Sequence, residues 1–291
     1  MLDSVARQSA WRAARIEHRQ LVVYANGCSD HTADAARAWA AGRADVQVVE
    51  TTEKGKSQAW NAVKAYLRGD APLWFFVDAD VILHWRAVEA LLAAAAAHPE
   101  AAVLSSLTVA AARYVPVRHR GFLESARVES ERWKTQRRVV SARFYAIRRE
   151  VAEGIELPPG LLDEDLYLTR LLGSERVWRS DRARVFAREP ATLREIARYQ
   201  VRTRIGTFQA RRVSGPPVDS NKTSEMKAQR RGVFWRLSWK GKVGKLLWVP
   251  LKVWVEWRAR RVPPESLSED FWMNVASAKL GTAARRERPP A

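Results

Sequence analysis

Leu73-Trp-Phe-Phe-Val-Asp78-Ala-Asp80-Val-Ile-Leu83 is the stretch from which the fold is read. Its apolar run of Trp, Phe and Val predicts a strand buried on both faces, the kind found in a parallel sheet. The run ends in two carboxylates one residue apart. Burying Asp78 and Asp80 at a strand end is costly unless positive charge lies between or beside them. Side chains two apart on an extended backbone point the same way, so both can converge on one hard cation. The carboxyl end of a strand is also where open α/β sheets bind ligands. Taken alone, the pair equally fits a strand that ends in a polar turn.

Working outward, strands and helices alternate. Ser4 to Arg19 is predicted as a helix, Gln20–Ala25 as a buried strand and Thr32–Ala41 as an Ala-rich helix. Val46–Val49 follows as a strand, Gly55–Leu67 as a helix, Ala87–Ala97 as a second Ala-rich helix and Ala102–Val109 as a strand. Strands separated by helices of this length predict an α/β fold with a doubly wound, mostly parallel, Rossmann-like sheet. The chain has 291 residues, enough for one large core plus an appendage.

The turns carry the chemistry. Asn26-Gly-Cys-Ser-Asp30 follows the first strand, and the free N–H groups of the next helix start suit a nucleotide. Lys54-Gly-Lys56 opens a helix and suits a phosphate, though without full P-loop spacing; a solvated helix end is the alternative. The single cysteine, Cys28, excludes an internal disulfide and fits a reducing compartment. The five histidines are scattered and form no metal-binding pair.

In order, Asn26-Gly-Cys-Ser-Asp30-His-Thr32, Gly55-Lys56-Ser-Gln-Ala-Trp-Asn61 and Asp78-Ala-Asp80 resemble glycosyltransferase family 2, nucleotide-sugar transferases of GT-A fold. Arg143-Phe-Tyr-Ala-Ile-Arg148-Arg149 resembles that family's acceptor-side strand, and Leu157-Pro-Pro-Gly-Leu-Leu-Asp-Glu164-Asp165 its Glu-Asp motif. Glu189-Pro190 to Glu195 resembles the approach to its last motif. The likeness covers roughly residues 4 to 206. It implies that Asn26, Asp30, Lys56 and Asp78 serve the nucleotide and that Asp80 ligates Mg²⁺ or Mn²⁺. It further implies that Asp165 is the general base and that Glu164 orients the site. The implied reaction is inverting transfer from a nucleotide sugar, a UDP-sugar first, to a saccharide or lipid-linked hydroxyl in bacterial cell-surface glycan synthesis.

Three departures qualify the likeness. The family opens with a strand before its first helix, whereas this chain begins at that helix. The expectation is either a start placed too far downstream or a shortened, impaired enzyme. Ala25 stands where many relatives carry an acid that reads the base. Gln200-Val-Arg-Thr-Arg204-Ile-Gly206 lacks the tryptophan of processive members, which predicts transfer of single sugars.

Composition shifts after Gly206. The expected division is a core over 1–206, a polar linker over 207–232 and a basic amphipathic, Trp-rich helical extension over 233–291. The 13 tryptophans crowd toward this end, and the net charge of +18 calls for a polyanionic partner. Leu246 to Trp257 is interrupted by Pro250, Lys252 and Glu256, so it is too short and too charged to span a bilayer. Tryptophans edged by Lys and Arg suit an anionic membrane surface, here the inner face of the plasma membrane. A helix packed on the core is the other reading. Nucleic acid would also answer the charge, but the acidic motifs would repel its phosphates, so no nucleic-acid partner is expected.

Overall fold

The computed structural model describes residues 1–12, 19–110, 121, 139–141, 143–187, 193–214, 235 and 237–262. Two short helices, α1 (Leu2–Ala6) and α2 (Ser9–Arg12), lead in. Then come β1 (Leu21–Asn26), α3 (Thr32–Ala40), β2 (Val46–Thr51) and α4 (Lys56–Val63). After β3 (Leu73–Val77) and β4 (Val81–Leu83) the chain forms α5 (Ala87–Ala97), β5 (Val103–Ala110) and β6 (Phe144–Arg148). It continues with α6 (Arg149–Glu153), α7 (Glu164–Leu172), β7 (Val177–Ala187), α8 (Leu193–Val213) and α9 (Trp239–Arg260).

Alternation of strand and helix holds at β1–α3–β2, whose strands pair in parallel from Leu21↔Val46 to Asn26↔Thr51. Elsewhere the expectation of a mostly parallel sheet is corrected. The other five strands lie in the order β3-β6-β5-β7-β4. β6 inserts between β3 and β5 antiparallel to both, β4 is antiparallel to β7, and only β5 and β7 run parallel. The fold is therefore α/β with a mixed sheet. The helix-crossover rule governs consecutive strands joined by a helix and is silent about a strand that enters later from the other direction.

The stretch 73–83 is two strands rather than one, parted at Asp78-Ala-Asp80. β3 and β4 occupy opposite edges of the five-stranded sheet. Four strand spacings in a flat sheet are roughly 19 Å, whereas the four Cα steps from Val77 to Val81 reach at most roughly 14 Å. The sheet must fold over, and the register shift between Ser106 and Leu107 in the β5/β7 ladder marks the bend. Asp78 and Asp80 sit in the link that crosses it.

Both faces of this sheet are covered. Phe144 and Ala146 of β6 join one apolar cluster with Leu91 of α5 and Val185, while Tyr145 and Ile147 join a second with Trp60 and Leu168. The period-2 alternation of a strand thus feeds two cores. By contrast, Leu21 to Tyr24 of β1 are half-buried, and among the described residues β1 is paired with β2 alone. The predicted helix Ser4–Arg19 is interrupted at Gln8. The Gln8 side chain leaves the helix axis to donate to His84 O at 3.0 Å and to accept from Val88 N at 3.0 Å.

The C-terminal side differs from the expected division. α8 runs unbroken past position 207, where a linker was expected to begin, and all of 215–234 lies outside the described residues, as do 263–291 of the expected extension and Glu189-Pro190. α9 lies back on α8: Val201 and Ile205 pack with Val255 and Ala259, and Arg204 bonds Glu256 at 2.5 Å.

Candidate active site

Three motifs far apart in sequence meet at one ammonium group. Lys56, the first residue of α4, places Nζ 2.7 Å from Asp78 Oδ1 and in an ion pair with Glu164 Oε1. Gly55, at φ +114° before the helix, sets the turn that presents it, a conformation closed to most side chains. Asp78 is fixed at the end of β3 by its N–H donating to Arg143 O at 2.9 Å. Glu164 is the first residue of α7 and is buried. Burial pushes the Glu164 carboxyl above its usual range, and Lys56 pulls the other way. Burial alone would lower Lys56, but Asp78 and Glu164 together hold it above the usual lysine range. The lysine is the internal counter-charge of the two acids.

Aromatic rings floor this cluster. Trp60 stacks on Phe76, Phe76 stacks on Tyr145, each pair with centroids 5.4 Å apart, and Trp60 Nε1 donates to Tyr145 Oη at 2.8 Å. Burial, with Glu164 next in weight, raises the Tyr145 phenol above its ordinary range, so it stays protonated. Asn61 joins α4 to the approach of α7 through a two-way bond with Leu157, both legs 2.9 Å. The Gly55-to-Asn61 motif therefore does two jobs. Its start supplies charge, and its end pins the acidic loop.

Asp165 follows Glu164 in the first turn of α7. Its Oδ1 accepts from Leu166 N at 3.0 Å, and Asp163 caps the same helix. Burial first, then the adjacent Asp163, push the Asp165 carboxyl well above the usual range. A carboxylate displaced in this direction holds a proton more strongly than an ordinary aspartate. Two residues of α8 brace this loop and went unnoticed in the sequence. A Cβ on Gly206 would come within 2.7 Å of Asp163 Cβ, and Gln209 accepts from Leu162 N at 3.1 Å. A glycine inside a helix costs stability and signals close packing, which is the clue Gly206 offered. Trp60, Arg143 and Tyr145 fall within motifs quoted from the sequence but carry no individual role there, because nothing local says which aromatic will face a charge.

The remaining expected residues sit around this centre. Asn26 Nδ2 donates to Gly55 O at 3.0 Å, placing the first turn one residue from Lys56. Asp30 is exposed and holds its own turn, accepting from Thr32 N at 3.1 Å and Thr32 Oγ1 at 2.5 Å. Asp80 is half-buried, raised by burial and then by Asp78, and opposed by Arg143 and Lys56. A carboxylate so placed fits an added cation. Among the described residues no group of three His, Cys, Asp or Glu gathers for a metal. A hard ion would therefore be held by Asp80 together with oxygens of a diphosphate, the donor set of Mg²⁺ or Mn²⁺.

Comparison with known proteins bears on the family and the fold. The model of "Glycosyl transferase family 2" matches residues 1–155. No curated protein sequence matches. The mannosyltransferase PcManGT from Pyrobaculum calidifontis, solved with GDP-Man and Mn²⁺, superposes with a TM-score of 0.54 at 17% identity. That match covers 98% of this chain and 83% of the other. S. aureus TarS 1–349, solved with UDP-GlcNAc, matches 69% of this chain and 61% of its own, at 16% identity and a TM-score of 0.45. At these identities the likeness is one of fold.

Proposed function

The chain belongs to glycosyl transferase family 2, and we propose that it moves single sugars from a nucleotide-sugar donor to an acceptor hydroxyl with inversion at the anomeric carbon. The observation that supports this most is the contact of Lys56 with both Asp78 and Glu164. It joins the donor side, at the end of β3, to the acceptor side, at the start of α7. Asn26 and Asp30 take the nucleoside and Asp78 its ribose or base, while Lys56 faces the diphosphate. Mg²⁺ or Mn²⁺, held by Asp80 and diphosphate oxygens, would offset the charge of the departing nucleoside diphosphate.

Asp165 is the base. Its carboxylate takes the acceptor proton as that oxygen bonds to the anomeric carbon. The bond from the carbon to the diphosphate oxygen breaks on the opposite face, which inverts the configuration. Glu164, buried and paired to Lys56, orients the loop. The missing tryptophan after Gln200 supports single-sugar transfer. The acceptor is a saccharide or a lipid-linked hydroxyl, in cell-surface glycan synthesis at the inner face of a bacterial plasma membrane. UDP-sugars are the first donors to try, with GDP-sugars beside them.

The test is steady-state donor hydrolysis and transfer across a panel of UDP- and GDP-sugars with Mn²⁺. Release of the nucleoside diphosphate from one donor class, lost in Asp165→Asn, is the expected result. A panel with no turnover and no metal-dependent nucleotide binding would overturn the reading.

A further inference from the structure

α9 is amphipathic in an inverted sense: its small residues face the protein, and its large apolar ones face out. At 100° per residue, Gly241, Gly244, Val255 and Ala259 fall on one side of the helix, and these four are buried. They let the backbone approach α8 closely, where Val255 and Ala259 join Leu162, Val201 and Ile205 in one cluster. The opposite side carries Leu246, Leu247, Val249, Val253, Trp254 and Trp257, exposed by 45 to 64%. These span roughly 160° of arc on a helical wheel. Between Leu246 and Trp257 no charged residue falls within this arc, whereas Lys242 and Arg260 lie inside it in the first and last turns; an exposed apolar face of this kind marks an interaction site.

Charge decides what it meets. On the same wheel Lys240 and Arg258 border one side of the apolar arc and Lys245 and Lys252 the other. The helix holds a single acid, Glu256, and it is taken up by Arg204 and Arg260. A second copy docked face to face would bring like charges together along both borders, which is unfavourable. A bilayer with anionic headgroups accepts the whole pattern. Apolar side chains enter the acyl boundary, tryptophans sit at headgroup depth, and the long Lys and Arg stems reach back to phosphates. No helix of the described residues is long and apolar enough to cross a membrane.

We infer that the outer face of α9 docks this protein flat on an anionic lipid surface. The docking does not depend on the transferase reading. One consequence does rest on it. α8 lies beneath α9 and braces Leu162 and Asp163 through Gln209 and Gly206, so the acidic loop stands one helix layer from the bilayer. That position suits an acceptor presented by a lipid.

The test is flotation of the full chain with phosphatidylcholine vesicles, with and without phosphatidylglycerol, at low and high salt. Binding to the anionic vesicles with a blue shift of tryptophan emission is expected. Leu246→Glu/Val253→Glu should weaken it by about tenfold or more, from the lost apolar burial. The same double variant should keep wild-type melting temperature and donor hydrolysis, since both side chains are exposed. Absence of binding to anionic vesicles would overturn the inference, as would full binding by the double variant. A double variant that melts lower without lipid would show that the face is covered by another part of the chain. A wild-type dimer that the variant dissociates would assign it to a second copy. Each outcome is independent of whether donor turnover is found.

Discussion

The cluster around Lys56 and the outer face of α9 use charge in opposite ways. At Lys56 one cation is drawn inward between two acids, where burial raises Glu164 and the two acids hold Lys56 above its usual range. On α9 several cations are spread along the borders of an apolar face, and the one acid is occupied by arginines on its own side. Desolvated charge needs a partner at fixed distance, so the first region is built from three elements that hold one another. Solvated charge needs none, so the second is built from one helix and can be read from its periodicity. The difference predicts that substitutions in the first region change chemistry and stability, whereas those in the second change location only.

The largest effect is expected at Asp80. Asp80→Ala should abolish Mn²⁺-dependent nucleotide binding by calorimetry, while stability stays within about 1 kcal/mol because no packed apolar group is lost. Asp165→Asn comes next, lowering kcat by roughly 10²- to 10⁴-fold with little change in donor KM, as loss of a general base requires. Equal loss in α9 variants acting on a water-soluble acceptor would break the comparison.

Lys56→Met should destabilise the fold by about 3 kcal/mol, the low end for breaking a buried pair, since Lys56 keeps some solvent contact. The sign with pH is fixed. Glu164 lies above its unfolded value already, and without Lys56 it moves further up. The cost of ionising it is absent at pH below the unfolded pKa and grows as pH rises, so the deficit in chemical denaturation should shrink toward acid. A deficit independent of pH would mean that Lys56 acts through packing.

The rate should also report Asp165 directly. The base must be ionised, and its pKa is raised by burial and by Asp163, so kcat should climb with pH through a limb above the ordinary aspartate range. Asp163→Asn keeps a good helix cap and should move that limb downward. The smallest effect is expected at Asp30. It is exposed and bonded within its own turn, so Asp30→Ala should cost about 1 kcal/mol or less as a lost helix-start contact. A larger rise in donor KM would place its charge on the nucleotide instead.

Much of this was legible in the chain itself. Local patterns mark most of the secondary elements and the motifs that carry acids, because periodicity and turn chemistry act within a few residues. They also mark α9 as amphipathic. What needed the tertiary structure is pairing. Nothing near Leu73 says that its neighbour will be antiparallel β6, or that Asp78-Ala-Asp80 will cross a bend in the sheet. Nothing near Lys56 says that its ammonium will face Glu164, more than a hundred residues away, or that Tyr145 will lie beneath them. Nothing in the α9 sequence says which of its faces meets α8. Those outcomes depend on which surfaces exclude water together, a property of the whole chain's packing and not of any window along it.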